Sequence, residues 1–473
     1  MKKQWMIIMS MVGMMAGIGL CGQNAEAKKR TVTVNPKTIP CSSVYRQKPQ
    51  YNAKTRQFLM LQSYLDRLAE TGGTLKLKKG TYKVPGTLSV PSNVTIELKS
   101  GAKIKKTKAT GTGKLKATKV LFQTVSSQKA SQNRMVSKYQ SSKKVSIKGS
   151  GKASIDLGKV KGATAVYIGH ASDVKVSGIT FKNKKGGSYI WIEGSQKVTV
   201  SDCVFQKGAA VSGLKNRMAI RLETINETTN DFTGKWSKLD NTKNKSITIT
   251  RNQFQSADIG VGTTKSVVVK SAKKTTKYYQ TKITIDKNTF TDTQKCAVYA
   301  VLWKKPAIKN NTIKLVSSKK KTGSAVYGYG VYEPSVASNT VSKCKFLACF
   351  NKAANAGKGK KMPSVASVIG TAAKNKLAAN AASDYYILNG KTRITYVRNK
   401  TDKTFVITSS TGPYHEKYND AADFSKRRVY YTFLSYMEQL EYAGGGTITV
   451  KAGNYPVTNN ICIPSNVTMT LEN

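Results

Sequence analysis

Acidic residues are scarce in this chain: 24 Asp and Glu stand against 79 Lys and Arg, and His occurs twice. Carboxylates this sparse leave thin material for a calcium cage, with Glu193, Glu223 and Asp258 the only plausible ligands. No metal or other cofactor is expected beyond that weakly supported calcium. Cysteine gives no framework either. Cys41, Cys203, Cys296, Cys344, Cys349 and Cys462 show no disulfide spacing and read as small core residues. Long apolar runs are missing after residue 20, so no later segment is long enough to cross a membrane.

What is there in excess is lysine, giving a formal net charge of +55. Such a surface attracts polyanions at long range and in a salt-dependent way. Nucleic acid is disfavoured, because Lys reads phosphate and base geometry poorly and no binding motif occurs. Lys2 and Lys3, the apolar run Trp5 to Leu20 and the small residues Ala25 to Ala27 together read as a signal peptide. The expectation is cleavage after residue 27 and export, with no transmembrane segment left. The protein would be secreted or associated with the cell wall. The expected partners are therefore an acidic polysaccharide or an anionic wall polymer. A solubilising coat of lysines on a large β surface is the plainer alternative.

From about Asn93 to Cys349 one short phrase repeats. It reads "VTIEL" at Val94, "VSIKG" at Val145, "VKVSGITF" at Val174, "VTVSDCVF" at Val198, "ITITRNQF" at Ile247 and "ITIDKNTF" at Ile283. Each begins with the alternation of a strand buried on one face, turns through polar residues, and reaches another apolar side chain. Alignment places Asn252, Asn288, Asn311 and Asn339 in one column below Ile179 and Cys203. Phe181, Phe205, Phe254, Phe290, Ile313 and Val341 form a second. An internal Asn ladder beside an apolar stack predicts an all-β chain folded as a parallel β-helix, with Asn accommodating left-handed backbone at the turn. Ahead of it, Leu61, Tyr64, Leu65 and Leu68 recur at helical spacing and end at Gly72, which predicts a helix capping the first coil.

That opening occurs twice. Gly72, Gly80, Tyr82 and Pro91 to Thr95 reappear as Gly445, Gly453, Tyr455 and Pro464 to Thr468, all displaced by 373. The predicted layout is a signal peptide over 1–27, an extended segment over 28–56 and a capped β-helix over 57–350. A connector over 351–412 follows, then the cap and first rung of a second, truncated copy over 413–473.

The cap helix, the "GGTLKLKKGTY" entry and the rungs resemble exported right-handed parallel β-helix proteins of the pectate-lyase-like superfamily. The entry looks like that of bacterial polygalacturonases. The resemblance implies a right-handed solenoid; this architecture hosts lyases, hydrolases, adhesins and phage spikes. Polygalacturonases carry paired aspartates, a Gly-His-Gly and an Arg-x-Lys in the groove, and none of these stands at a corresponding place here.

Chemistry on such a fold sits in columns of outward side chains. Setting Val166, Ile190, Ile220, Ile259 and Val298 inward gives an outward column of Tyr167, Trp191, Arg221, Gly260 and Tyr299. A second holds Gly169, Glu193, Glu223, Gly262 and Val301, with His170 beside it. Glu193 and Glu223 could divide general acid and base roles in glycoside cleavage. Arg221 could hold a uronate carboxylate or abstract a proton, and Trp191 and Tyr299 offer flat faces to sugar rings. Tyr167, His170 and Asp258 complete the substrate-binding candidates, and Asp240 could reach over from its insertion. Against this, the two glutamates could merely neutralise a lysine-rich face. The expectation is binding and cleavage of an acidic polysaccharide by a lyase or glycoside hydrolase. Non-catalytic wall or glycan binding, or adhesion, is the alternative.

Overall fold

The computed structural model describes residues 30–209, 211, 218–226, 234–264, 279–315, 324–342 and 346–351. It also describes three short strands, Lys376–Leu377, Asp384–Leu388 and Arg393–Val397, and residues 403–414, 418–419 and 421–473. The predicted signal peptide, most of the connector, and the side chains of Cys344 and Cys349 lie outside the described residues.

The repeated phrase builds a solenoid of three parallel sheets. One turn runs through Ser172–Ser177 in the first sheet, Thr180–Lys182 in the second and Ile190–Glu193 in the third, and the next turn lies on top. The first sheet stacks the Val and Ile positions in register, Val174 on Val198 on Ile247 on Ile283. Their alternation is the cause: apolar Val and Ile point inward, while polar Thr, Ser and Lys face out. The predicted apolar column is continuous inside. Phe181, Phe205, Phe254 and Phe290 stack with centroids 5.1, 4.9 and 4.5 Å apart.

Beside them runs the Asn ladder. Asn252 donates to Asn288 at 3.0 Å, Asn288 to Asn311 at 3.1 Å and Asn311 to Asn339 at 2.9 Å. Each amide also donates to a carbonyl one turn back, such as Asn288 to Ile249 at 2.8 Å. The backbone role assigned to these residues needs correcting. Left-handed φ falls on the residue before each ladder Asn, at Arg251, Lys287, Asn310 and Ser338, as it does at Asp202 before Cys203, and not on the ladder Asn itself. Asn is there for its amide, which satisfies backbone groups that a two-residue buried turn would orphan.

The helix Arg56–Thr71 caps the first turn and buries Phe58, Leu61, Leu65 and Leu68 in the same core as Leu75, Leu77 and Tyr82. Upstream, Thr31–Val34 pairs in parallel with Gly73–Leu77, a strand not expected from the sequence. Its equivalent exists in the second copy. Thr404–Ile407 pairs with Gly446–Val450, and 404 − 31 is again 373. The duplicated unit therefore begins at this strand and not at residue 413. Helix Phe424–Ala443 and strand Val467–Leu471 complete it. Within the unit the helix slips by one residue, since Ser63 Oγ accepts from Cys41 N while Ser435 Oγ accepts from Tyr414 N. Gly444, left-handed at φ 81°, absorbs the extra residue.

Candidate functional site

The third sheet differs from the other two. Strands Thr164–Gly169, Ile190–Glu193, Met218–Glu223 and Ile259–Gly262 are buried at every position, where strands of the first sheet alternate. Something covers their outer face. Over Tyr167 and Trp191 two loops do so, zipped together: Val136 bridges Ser237 in parallel, Val136 N donates to Trp236 O and Lys238 N to Val136 O. Lys138 N donates to Asp240 Oδ2 at 2.8 Å, so Asp240 does reach over the sheet, as a tie between loops. Trp236 is the plug beneath them. Its ring lies 6.1 Å from Tyr167 and 6.2 Å from His170, and its Nε1 donates to Gln123.

Register places Tyr167, Trp191, Arg221, Gly262 and Tyr299 in one column, and Gly169, Glu193 and Glu223 in the next. The fourth turn is therefore two residues from its expected place. Arg221 pairs with Gly262, not Gly260, and a Cβ on Gly260 would run into the interior ring of Phe290. Ile259 is not an inward residue of the main core. It packs with Met218, Cys296 and the half-buried Tyr299. Val261 between Ile220 and Val298 fixes the register, since interior shape outweighs a strand half made of glycine.

At the centre the charges are internally paired. Tyr167 Oη donates to Glu193 Oε2 at 2.7 Å, and Arg221 Nε donates to Glu223 Oε1 at 2.7 Å. Thr264 donates to the same oxygen of Glu223 through its N, at 2.8 Å, and through its hydroxyl. Arg221 also lies over the Trp191 ring, 4.0 Å from its centroid, and Tyr167 meets that ring edge-on at 5.5 Å. Glu223 is wholly buried and its Oε2 has no hydrogen-bond partner among the described residues. Burial, and then Glu193 nearby, push the Tyr167 phenol well above its ordinary pKa.

The structure thus brings together Tyr167, Trp191, Glu193, Arg221 and Glu223, but it does not expose them. Trp191 is 6% accessible and Tyr167 1%, so neither offers a flat face to a sugar in this closed form. His170 turns away from the glutamates. At φ 51° it sends Nδ1 to Lys138 O at 2.7 Å and Nε2 to Ser237 Oγ at 3.0 Å, fastening both covering loops. Burial lowers its pKa. Asp258 sits at the opposite end of its strand, lining a separate pocket with Lys184, Tyr189 and Gln206. Tyr299 lies two turns on from Arg221, packed against Tyr327 at 5.9 Å and Tyr329 at 6.1 Å, and burial pushes its phenol up to about 12. Sequence reasoning missed Trp236 and Thr264; only the insertion "FTGKWSKLDNT" marked the place. Among the described residues no three His, Cys, Asp or Glu side chains converge to hold a metal.

Residues 142–313 match the family model described as the right handed beta helix region. No curated protein matches the chain by sequence. Among solved structures, the surface protein and adhesin PfbA of Streptococcus pneumoniae is 14% identical, with a TM-score of 0.49 over 93% of this chain and 97% of that one. A 1,3-alpha-1,4-beta-D-galactose-4-sulfate-3,6-anhydro-D-galactose-2-sulfate 4 galactohydrolase is 13% identical, with a TM-score of 0.44 over 79% and 94%. The tailspike protein of E. coli bacteriophage HK620, in complex with a pentasaccharide, is 11% identical, with a TM-score of 0.41 over 89% and 75%. Stacked parallel sheets, an internal Asn ladder and the matched region agree: this chain folds there as a right-handed parallel β-helix.

Proposed function

We propose that this chain is an extracellular β-helix that binds an acidic polysaccharide along the outer face of its third sheet. The observation that carries the reading is the contrast between faces. The other two sheets present Lys, Thr and Ser outward, while this one gathers Tyr167, Trp191, Arg221 and two carboxylates in register under a closed cover. Aromatic rings and a guanidinium are the groups that recognise sugar rings and uronates. A ligand must displace Trp236 and its loops to reach them. No helix among the described residues is long and apolar enough to cross a membrane.

Cleavage at the same place is the second reading. It is favoured by Glu193 and Glu223 being direct partners on adjacent turns, both buried. The closed form argues against it as the main activity. Tyr167 and Arg221 each donate to a glutamate, so both carboxyl groups are engaged within the protein and buried away from a substrate.

The test incubates the full chain with polygalacturonate, pectin, hyaluronan and alginate, with and without calcium. Retention is read beside new reducing ends and unsaturated product, for wild type and for Glu193→Gln/Glu223→Gln. The expected result is retention on at least one polymer without product. Product made by wild type and not by the double variant would replace binding with cleavage. Retention on none of the four would overturn both.

A further inference from the structure

The two copies of the opening turn act as a control on one another. Their strands pair in the same register, and Lys99 N donates to Leu77 O as Glu472 N donates to Val450 O. Positions interior in the first copy keep their apolar or aromatic character in the second: Leu75, Leu77, Tyr82 and Leu98 match Ile448, Val450, Tyr455 and Leu471. Outward positions do not. Residues 72–100 hold five lysines and one glutamate, whereas 445–473 hold one lysine and one glutamate. Thr449, Ala452, Pro456 and Glu472 stand where the first copy has Lys76, Lys79, Lys83 and Lys99. The first-sheet pairing of this turn forms without Lys76 and Lys99, so that pairing does not require them.

Part of their arrangement is also electrostatically costly, although Lys76 stands opposite Glu97, which holds Lys99 at 2.7 Å. Leu77 pairs with Leu98, which sets Lys78 directly over Lys99; Lys83 pairs with Lys105. Like charges opposed across strands destabilise a sheet. At the place of the first clash the second copy has an ion pair, Lys451 with Glu472. In the first copy Glu97 is the nearby acid, and the Lys99 hydrogen bond, then the charges of Lys148 and Lys76, hold its carboxyl below the usual range against the opposing effect of burial. The turns repeat at about 4.8 Å, so these lysines form short rows parallel to the solenoid axis.

We infer that the lysine edge of the first two turns, Lys76, Lys78, Lys79, Lys83, Lys99 and Lys105, is a docking surface for a linear acidic polysaccharide lying along the axis. It is a second contact surface, separate from the covered third sheet, and it rests on the acidic-polysaccharide reading. A row of carboxylates removes the repulsion that the edge carries alone. All six are lysines, whose mobile ammonium groups accept a chain in many poses and select charge density over stereochemistry.

The second copy supplies the test. Retention of the full chain on immobilised polygalacturonate is measured for wild type and for Lys76→Thr/Lys79→Ala/Lys99→Glu, which installs the residues the second copy tolerates. A charge control, Lys175→Thr/Lys182→Ala/Lys207→Glu, removes the same charge from later turns of the same two faces. Thermal midpoints guard against misfolding, and Lys76→Thr/Lys79→Ala, which leaves the Lys99–Glu97 pair intact, provides a milder version. The edge variant should lose at least tenfold in affinity at low salt and show a shallower salt dependence, with the control changing less than twofold. Equal losses in edge and control variants would overturn the docking surface in favour of a diffuse lysine coat. Unchanged retention in the edge variant would also overturn it while leaving the acidic-polysaccharide reading standing. Absence of retention by wild type would overturn both.

Discussion

Arg221 and Glu223 form an ion pair with 9% and 0% accessibility. Removing one partner of a buried pair strands the other charge in low dielectric, which typically costs about 3–5 kcal/mol. Arg221→Met should therefore lower stability by about that amount in denaturant unfolding, and Arg221→Met/Glu223→Gln should recover part of the loss. Full additivity of the two single changes would show that the pair is not coupled. His170 gives a pH signature. Its folded pKa lies below the ordinary 6.5 because it is buried. The unfolded chain thus takes up the proton first, so stability falls as the pH drops through about 6.5 and is regained above it. Thermal midpoints between pH 7.5 and 5.5 should show this slope, and His170→Gln should flatten it. The only other histidine, His415, lies outside the described residues. Sequence spacing found Glu193, Arg221 and Glu223 because their neighbours Ile190, Ile192, Ile220 and Leu222 keep a strict period of two. It could not find Trp236, which arrives from a loop, where contact carries no period.

Among the elements, the Asn turn is the most constrained. Asn288 donates to Ile249 O, Asp286 O and Asn311 Oδ1 and accepts from the N and the Nδ2 of Asn252. Asn288→Ala would leave several buried groups unpaired, each worth about 1–3 kcal/mol. A loss of at least about 3 kcal/mol is expected in denaturant titration, and a loss below about 1 kcal/mol would mean that water replaces the amide without cost. This column was legible because the residue type itself repeats at the turn. The strand Ile259–Gly262 was not, since two of its four residues are glycine and nothing in "DIGVGT" states which apolar residue faces inward. Thr31–Val34 escaped notice for another reason. Four alternating residues with no turn signal ahead of them look like any extended segment, and only its neighbour Gly73–Leu77 makes it a strand.

Across the whole molecule, the fold was readable because a solenoid writes the same local rule many times. The closure of the site was not, because two loops far apart in sequence meet only once. Charge lies between these cases. Lysine excess is plain in the composition, yet its concentration on one edge emerges only when the two copies are superposed by register.

The edges of the prism differ in how much chain they admit. Between first and second sheets the connection is always two residues, from Gly178 and Ile179 to Ser338 and Asn339. Between third and first it is two residues after Gly169 and after Glu193, but residues 224–244 after Glu223. A turn that grows this much on one strand without disturbing the next is a natural splice point. Foreign peptide sequence added within the long connection over residues 224–244 would be carried beside the covered sheet, while an insertion of any length at Lys287 and Asn288 would cut the ladder. The chain is in this sense a display scaffold with one permissive seam and one forbidden one.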